Sequence, residues 1–78
     1  MDYETHKRAE NRSLAYIDKV ISYYTQNKID LNTLMLLRDL ITSHVSLVQT
    51  HPTYREARLN TVEHIFEKFE IYTKAKEA

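Results

Sequence analysis

Cysteine, glycine and tryptophan are absent from this sequence of 78 residues, and proline occurs once, at Pro52. Without cysteine the chain cannot form a disulfide framework or a thiolate metal site. Without glycine it lacks the glycine-rich loops that cradle phosphates in nucleotide-binding proteins. The scarcity of turn-forming residues also disfavours sheets joined by tight hairpins. The sequence therefore favours an all-α protein.

Charge and hydropathy argue against further classes of protein. The 11 basic and 11 acidic residues give a formal net charge of zero, so no general attraction to nucleic acid or to an anionic membrane is indicated. The longest apolar run, Leu34–Leu37, is far shorter than the roughly 18 residues that indicate a membrane span. The first residues also lack the apolar stretch of a signal peptide. We expect a soluble, cytoplasmic protein that has no membrane partner.

Two interruptions divide the chain into three helical segments. At the first, Asn27 suits the left-handed position after a helix, and Asp30 suits the N-cap of the next one. At the second, Pro52 disfavours helix at the residue before it, and Thr53 begins a capping box with Glu56. The predicted helices cover about 3–26, 31–50 and 54–75. With similar lengths and short connections, they predict an antiparallel three-helix bundle that forms a single domain over 1–78.

Apolar residues recur at helical spacing in each segment and predict the core. The predicted core residues are Leu14, Ile17, Val20, Ile21 and Tyr24 in the first helix, Leu34, Leu37, Leu40, Ile41, Val45, Leu47 and Val48 in the second, and Leu59, Val62, Ile65, Phe66, Phe69 and Tyr72 in the third. The apolar stripe of the second helix covers about half of its circumference, which predicts that this helix lies in the middle. The whole set is a thin core for one domain, so a homodimer or a partner protein would complete it.

A stripe of cations and tyrosines is predicted on the outer side of the first helix. Its members are Arg8, Arg12, Tyr16, Lys19 and Tyr23. Tyrosine and arginine are favoured anchors of protein interfaces, and the same combination binds single-stranded nucleic acid. A solvated face that flanks the core is the third interpretation. The neutral chain favours a protein partner over nucleic acid.

Apolar residues outside the main stripes suggest a second contact surface. Met35 points with polar residues of the second helix, Leu36 lies at the edge of its apolar stripe, and Ile71 lies opposite Val62 on the third helix. We predict that Met35 and Leu36 contact a partner.

One motif, Arg38-Asp39-Leu40-Ile41-Thr42-Ser43-His44, resembles the catalytic motif of the HEPN family of helical domains. In that family an arginine precedes a histidine by four to six positions, and many members cleave RNA as dimers. The resemblance implies that Arg38 stabilises phosphate and that His44 transfers a proton. Six residues turn a helix by about 600°, which places the two side chains about 120° apart and favours a non-catalytic interpretation.

Other constellations of catalytic or metal-binding residues are not indicated. The four histidines are scattered, so we expect no metal site, no cofactor and no catalytic set. The sequence predicts a small non-catalytic protein that binds another protein through a helix face, as an inhibitor, adaptor or regulator. Leucine, isoleucine and tyrosine are abundant while alanine is sparse, which suits an AT-rich gene and a protein encoded by a virus or mobile element. The alternatives are a nucleic-acid-binding regulator and a dimeric ribonuclease.

Overall fold

The computed structural model describes residues 3–77, with side chains from 7 to 76. Within these residues it has no strand and three α-helices: α1 (Tyr3–Tyr23), α2 (Leu31–Gln49) and α3 (Arg55–Glu77). A short 3-10 helix, Pro52–Tyr54, precedes α3. The helices pack against one another in a rod of 44 × 18 × 17 Å. The predicted all-α three-helix bundle is confirmed.

The first helix ends three residues earlier than predicted. Beyond Tyr23 the amides of Thr25 and Gln26 bond to carbonyls three residues back, in successive turns. Asn27 does not take the left-handed conformation, because no residue in the described part of the chain has a positive φ. Its side-chain amide instead donates to the carbonyl of Tyr23 at 3.0 Å. The carbonyl of Tyr23, which also accepts the amide of Gln26, thus gains a second donor at the helix end.

The start of α2 follows the prediction, and a short 3-10 turn precedes the start of α3. The carboxylate of Asp30 accepts the amide of Thr33 at 2.8 Å, which confirms Asp30 as the N-cap. Before α3 the chain makes a 3-10 turn that contains Thr53, and the ring Nδ1 of His51 accepts the amide of Thr53 at 3.2 Å. His51 therefore caps the 3-10 turn, and α3 itself begins at Arg55. Proline at the first position of this turn lacks the amide that would otherwise need a partner.

The core consists mainly of apolar side chains from all three helices. Nine apolar residues are buried: Ala9, Ile17, Val20, Leu40, Leu47, Leu59, Val62, Phe66 and Phe69. Four of them lie on α3, where the predicted stripe is confirmed. The small polar residues Ser13, Thr33 and Thr73 are also buried.

The position of α2 differs from the prediction. Helix α3 has the most extensive contacts with both of the other helices, so α2 is not the central helix. The phenylalanines of α3 supply large surfaces to its neighbours, and the tyrosines of α1 pack on them. Because α2 does not lie in the middle, part of its wide apolar stripe stays uncovered.

Polar contacts connect α2 and α3 at both ends of this helix pair. At one end Lys76 forms an ion pair with Asp30, which already caps α2. This contact and the bond from the Thr33 amide lower the pKa of Asp30 to about 2. At the other end Arg55 donates to the carbonyl of Val48 at 3.1 Å, where the negative end of the α2 dipole favours a cation.

None of the helices in the described part of the chain is long and apolar enough to cross a bilayer.

Candidate functional site

The aromatic members of the α1 stripe lie in the contact between α1 and α3. The ring of Tyr16 packs on Phe66 with centroids 4.7 Å apart, and its hydroxyl donates a hydrogen bond of 2.9 Å to Glu63. Tyr23 packs edge-on against Phe69 at 5.3 Å. Both tyrosines are half-buried, so their predicted placement on the outer side of the helix is wrong. Phe66 and Phe69 therefore already contact the tyrosine rings that would have to stack on a nucleic-acid base.

The arginines of the stripe differ in their surroundings. Arg12 lies 3.7 Å from the carboxylate of Glu63 and is more than half exposed. A hydrogen bond with Tyr16, together with this carboxylate, raises the pKa of Arg12. Arg8 lies on the exposed surface one turn earlier. The basic part of the stripe is therefore coupled to α3 at Arg12 and open to solvent at Arg8.

Lys19 borders a shallow groove that is rich in carboxylates. Its ammonium lies 5.6 Å from the centroid of the Phe66 ring, a distance at which a cation is attracted to an aromatic face. The same groove is lined by three acidic residues of α3: Glu63, Glu67 and Glu70. Three carboxylates beside one ammonium make the groove unfavourable for a phosphate backbone.

The two residues predicted as contacts on α2 have different surroundings. Met35 is 43% exposed and lies on the outer side of the helix, as predicted. Leu36 is partly buried and packs against the core. Only Met35 of this pair is an exposed apolar side chain.

The structure does not bring Arg38 and His44 together. Arg38 is exposed and lies 3.4 Å from the carboxylate of its neighbour Asp39. His44 points toward α1, where its Nδ1 and the hydroxyl of the buried Ser13 are 2.7 Å apart and share a hydrogen bond. The side chain of Arg38 is therefore in solvent, whereas that of His44 stabilises the contact between α1 and α2. This arrangement favours a structural role for His44.

An uncovered apolar surface runs along α2. Leu34, Ile41 and Val45 were predicted to be buried, and that prediction is wrong: they are 46%, 45% and 46% exposed. At 100° per residue these three positions fall on one side of the helix. Asn32, which bonds to Tyr72 of α3, lies on the opposite side, so the uncovered side is turned away from α3.

Helix α1 continues this surface. Leu14 and Ile21, also predicted as core, are 43% and 49% exposed. They lie on the side of α1 opposite to the tyrosines that contact α3. The bond between Ser13 and His44 fixes how the two antiparallel helices align, and it places Leu14 beside 41–45 and Ile21 beside 34–37.

These five residues form one surface across the groove between the two helices. We call Leu14, Ile21, Leu34, Ile41 and Val45 the α1–α2 apolar face. Helical periodicity did not predict this face, because it identifies apolar residues without showing whether another helix covers them. The available signal was the width of the α2 stripe, which instead led to the prediction of a central position for α2.

Among the residues whose side chains are described, no group of three or more histidines, aspartates or glutamates is placed to hold a metal ion. No protein-family model, curated protein or solved structure matches the chain. Evidence about function therefore comes from the geometry of the bundle and from its uncovered apolar side chains.

Proposed function

We propose that this chain is a small non-catalytic protein that binds another protein chain through the α1–α2 apolar face, as a regulator, inhibitor or adaptor in the cytoplasm. The observation that supports the proposal is the alignment of half-exposed aliphatic side chains on two adjacent helices. Single exposed apolar residues are ordinary on protein surfaces, whereas a contiguous set on one face is typical of an interaction site.

The shape of the face suits a helix. Leu34, Ile41 and Val45 recur at the seven- and four-residue spacings by which one helix packs along another. A depression on α2 is lined by Leu34, Ile41 and their neighbours Leu37, Arg38 and Thr42. An amphipathic helix that lies along the groove between α1 and α2 would bury these side chains. Burying the remaining half of each one contributes about 1 kcal/mol.

The main contact surface proposed here is different from the α1 stripe. Tyr16 and Tyr23 already pack on α3, which leaves less of their surface for a partner. Met35 is exposed on α2, next to Leu34 in sequence, and lies beyond the edge of the apolar face. Arg8 and Lys19 are exposed and remain available to a partner that reaches beyond that face.

The surroundings of the cations favour a protein partner over nucleic acid. Nucleic-acid binding requires several cations that follow the phosphates without competing acids. Here Arg12 is paired with Glu63, and Lys19 shares its groove with two further glutamates. The separation of Arg38 from His44 likewise disfavours the ribonuclease alternative.

Two isoleucine substitutions test the proposal. Ile41→Glu places a charge in the α1–α2 apolar face. Ile71, which the sequence suggested for a second contact surface, is exposed on α3 and lies outside this face, so Ile71→Glu is the matched control. Tagged chains are used to capture proteins from the native cell extract, and captured proteins are identified and quantified by mass spectrometry. We expect wild type and Ile71→Glu to retain the same stoichiometric protein and Ile41→Glu to lose it, while circular dichroism shows equal helicity.

Two results would contradict the proposal. The first is equal capture of that protein by Ile41→Glu and wild type. The second is nucleic acid as the only stoichiometric molecule bound to the wild-type chain.

A further inference from the structure

The charged residues at the two edges of the α1–α2 apolar face are of opposite sign and lie at the same height along the bundle. Asp18 lies beyond Leu14 and Ile21 on the α1 edge, and Arg38 lies beyond Leu34 and Ile41 on the α2 edge. Both residues are exposed, and the side chain of Arg38 is 68% exposed.

The height of these charges follows from the alignment of the helices. Ser13 faces His44, and α1 and α2 are antiparallel. Five residues further along α1 is Asp18, and five residues back along α2 is Asp39, next to Arg38. The face is thus a strip of aliphatic side chains with a carboxylate on one edge and a guanidinium directly across from it.

Such a strip is complementary to itself. Two copies can meet face to face about a twofold axis that runs parallel to the helices. Helix α1 of each copy then lies over α2 of the other, and Asp18 of each copy faces Arg38 of the other. Leu14 of one copy meets Ile41 and Val45 of the second. Every adjacent pair among the four helices is antiparallel, as in an up-and-down four-helix bundle.

The other twofold arrangement is unfavourable. An axis perpendicular to the helices places α1 over α1 and α2 over α2 in opposite directions. Asp18 then approaches Asp18 of the second copy near the centre of the face, and the Arg38 side chains approach each other in the same way. Like charges repel across such an interface, whereas the twofold axis parallel to the helices brings opposite charges together.

We infer that a second copy of this chain covers the α1–α2 apolar face, with α1 of each copy packed on α2 of the other. The inference rests on the proposed function, because it assumes that this face binds a protein chain and names that chain. A different protein that uses the face must then displace the second copy.

The size of the face sets the expected strength. The apolar face extends over about 16 Å of α2, and the whole side of the helix pair around it measures about 30 Å by 20 Å, or about 600 Å² per copy. Stable interfaces bury about 800 Å² per partner. We therefore expect a reversible dimer with a dissociation constant in the micromolar range.

Sedimentation velocity of the purified chain over a concentration series tests the inference. We expect the mass to rise from 9.3 kDa toward twice that value. Ile41→Glu should weaken association about a hundredfold or more, because it buries a carboxylate in each half of the interface. Ile71→Glu should associate as wild type does. A wild-type chain that remains at 9.3 kDa even at millimolar concentration would overturn the inference.

Charge reversal tests the arrangement at two exposed residues that lie outside the core. Asp18→Arg and Arg38→Asp should each weaken the dimer about tenfold, because each creates two like-charge contacts. The two changes in one chain should restore wild-type association. A dimer that is insensitive to the single reversals, or that the double reversal fails to restore, would refute the inferred packing.

The result separates this inference from the proposed function. If the wild-type chain is monomeric but Ile41→Glu still abolishes capture of another protein, the inferred second copy is refuted and the docking face is supported. If capture and self-association are both the same for Ile41→Glu and Ile71→Glu, both proposals are overturned.

Discussion

Two neighbouring residues on α2 give a stringent test of which side of the helix faces the core. Leu40 is fully buried, whereas Ile41, the next residue, is 45% exposed. Leu40→Ala and Ile41→Ala remove comparable amounts of aliphatic side chain at nearly the same place in the helix. Their different effects on stability therefore report burial.

The expected magnitudes follow from the exposures. Leu40→Ala leaves a cavity in the core and should cost about 3 kcal/mol, within the range of about 2–5 kcal/mol for such changes. A fully buried isoleucine contributes about 1.5–3 kcal/mol to the free energy of unfolding. Ile41 is about half-buried, so its replacement by alanine removes about half of that contribution. Alanine regains about 0.4 kcal/mol through its higher helix propensity. The net cost of Ile41→Ala should therefore be about 0.4–1.1 kcal/mol.

The assay is urea unfolding followed by circular dichroism, first at low protein concentration. If Ile41→Ala destabilises the protein as much as Leu40→Ala does under these conditions, Ile41 belongs to the core and the docking face does not exist. At high concentration the wild-type dimer adds stability by mass action. The cost of Ile41→Ala should then rise, while that of Leu40→Ala stays nearly constant.

Further predictions concern the polar contacts between helices. Asp30→Asn keeps an N-cap side chain but loses the ion pair with Lys76. Because folding lowers the pKa of Asp30 from 3.8 to about 2, its contribution to stability is present above the higher value and is lost as pH falls through this interval. Acid titration of Asp30→Asn should show a shallower loss of stability there than wild type. Ser13→Ala removes the buried partner of His44 and should cost about 1 kcal/mol in urea unfolding, since the lost hydrogen bond outweighs the gain in helix propensity. No measurable cost would show that the bond is not formed in solution.

The local structure of the chain was largely predictable. Asp30 caps α2 because a short carboxylate before a helical segment reaches the free amides of the first turn, and this needs no distant partner. Asn27 also acts locally, but through its side chain rather than through the left-handed backbone that was predicted. The 3-10 turn that begins at Pro52 and includes Thr53 was not predicted.

The candidate site was less predictable, because it depends on which apolar residues are left uncovered. Leu34 and Leu40 have the same hydrophobicity, yet one is half-exposed and the other is buried. They point about 120° apart on α2, and their difference comes from which side of the helix faces α1 and α3, which the sequence of α2 alone does not contain. Tyr16 shows the converse, since it became part of a helix contact through Glu63 and Phe66, which lie far along the chain.

The sequence by itself determined the fold class, the three helices and the apolar stripe of α3, because composition, caps and periodicity act within a few residues. Only the tertiary structure decided which stripes were covered, since burial depends on contacts between residues that are distant in sequence. Three short helices cover less apolar surface than the sequence supplies, and the part of the excess that lies on α1 and α2 forms one face. That uncovered excess is the physical origin of the proposed docking face.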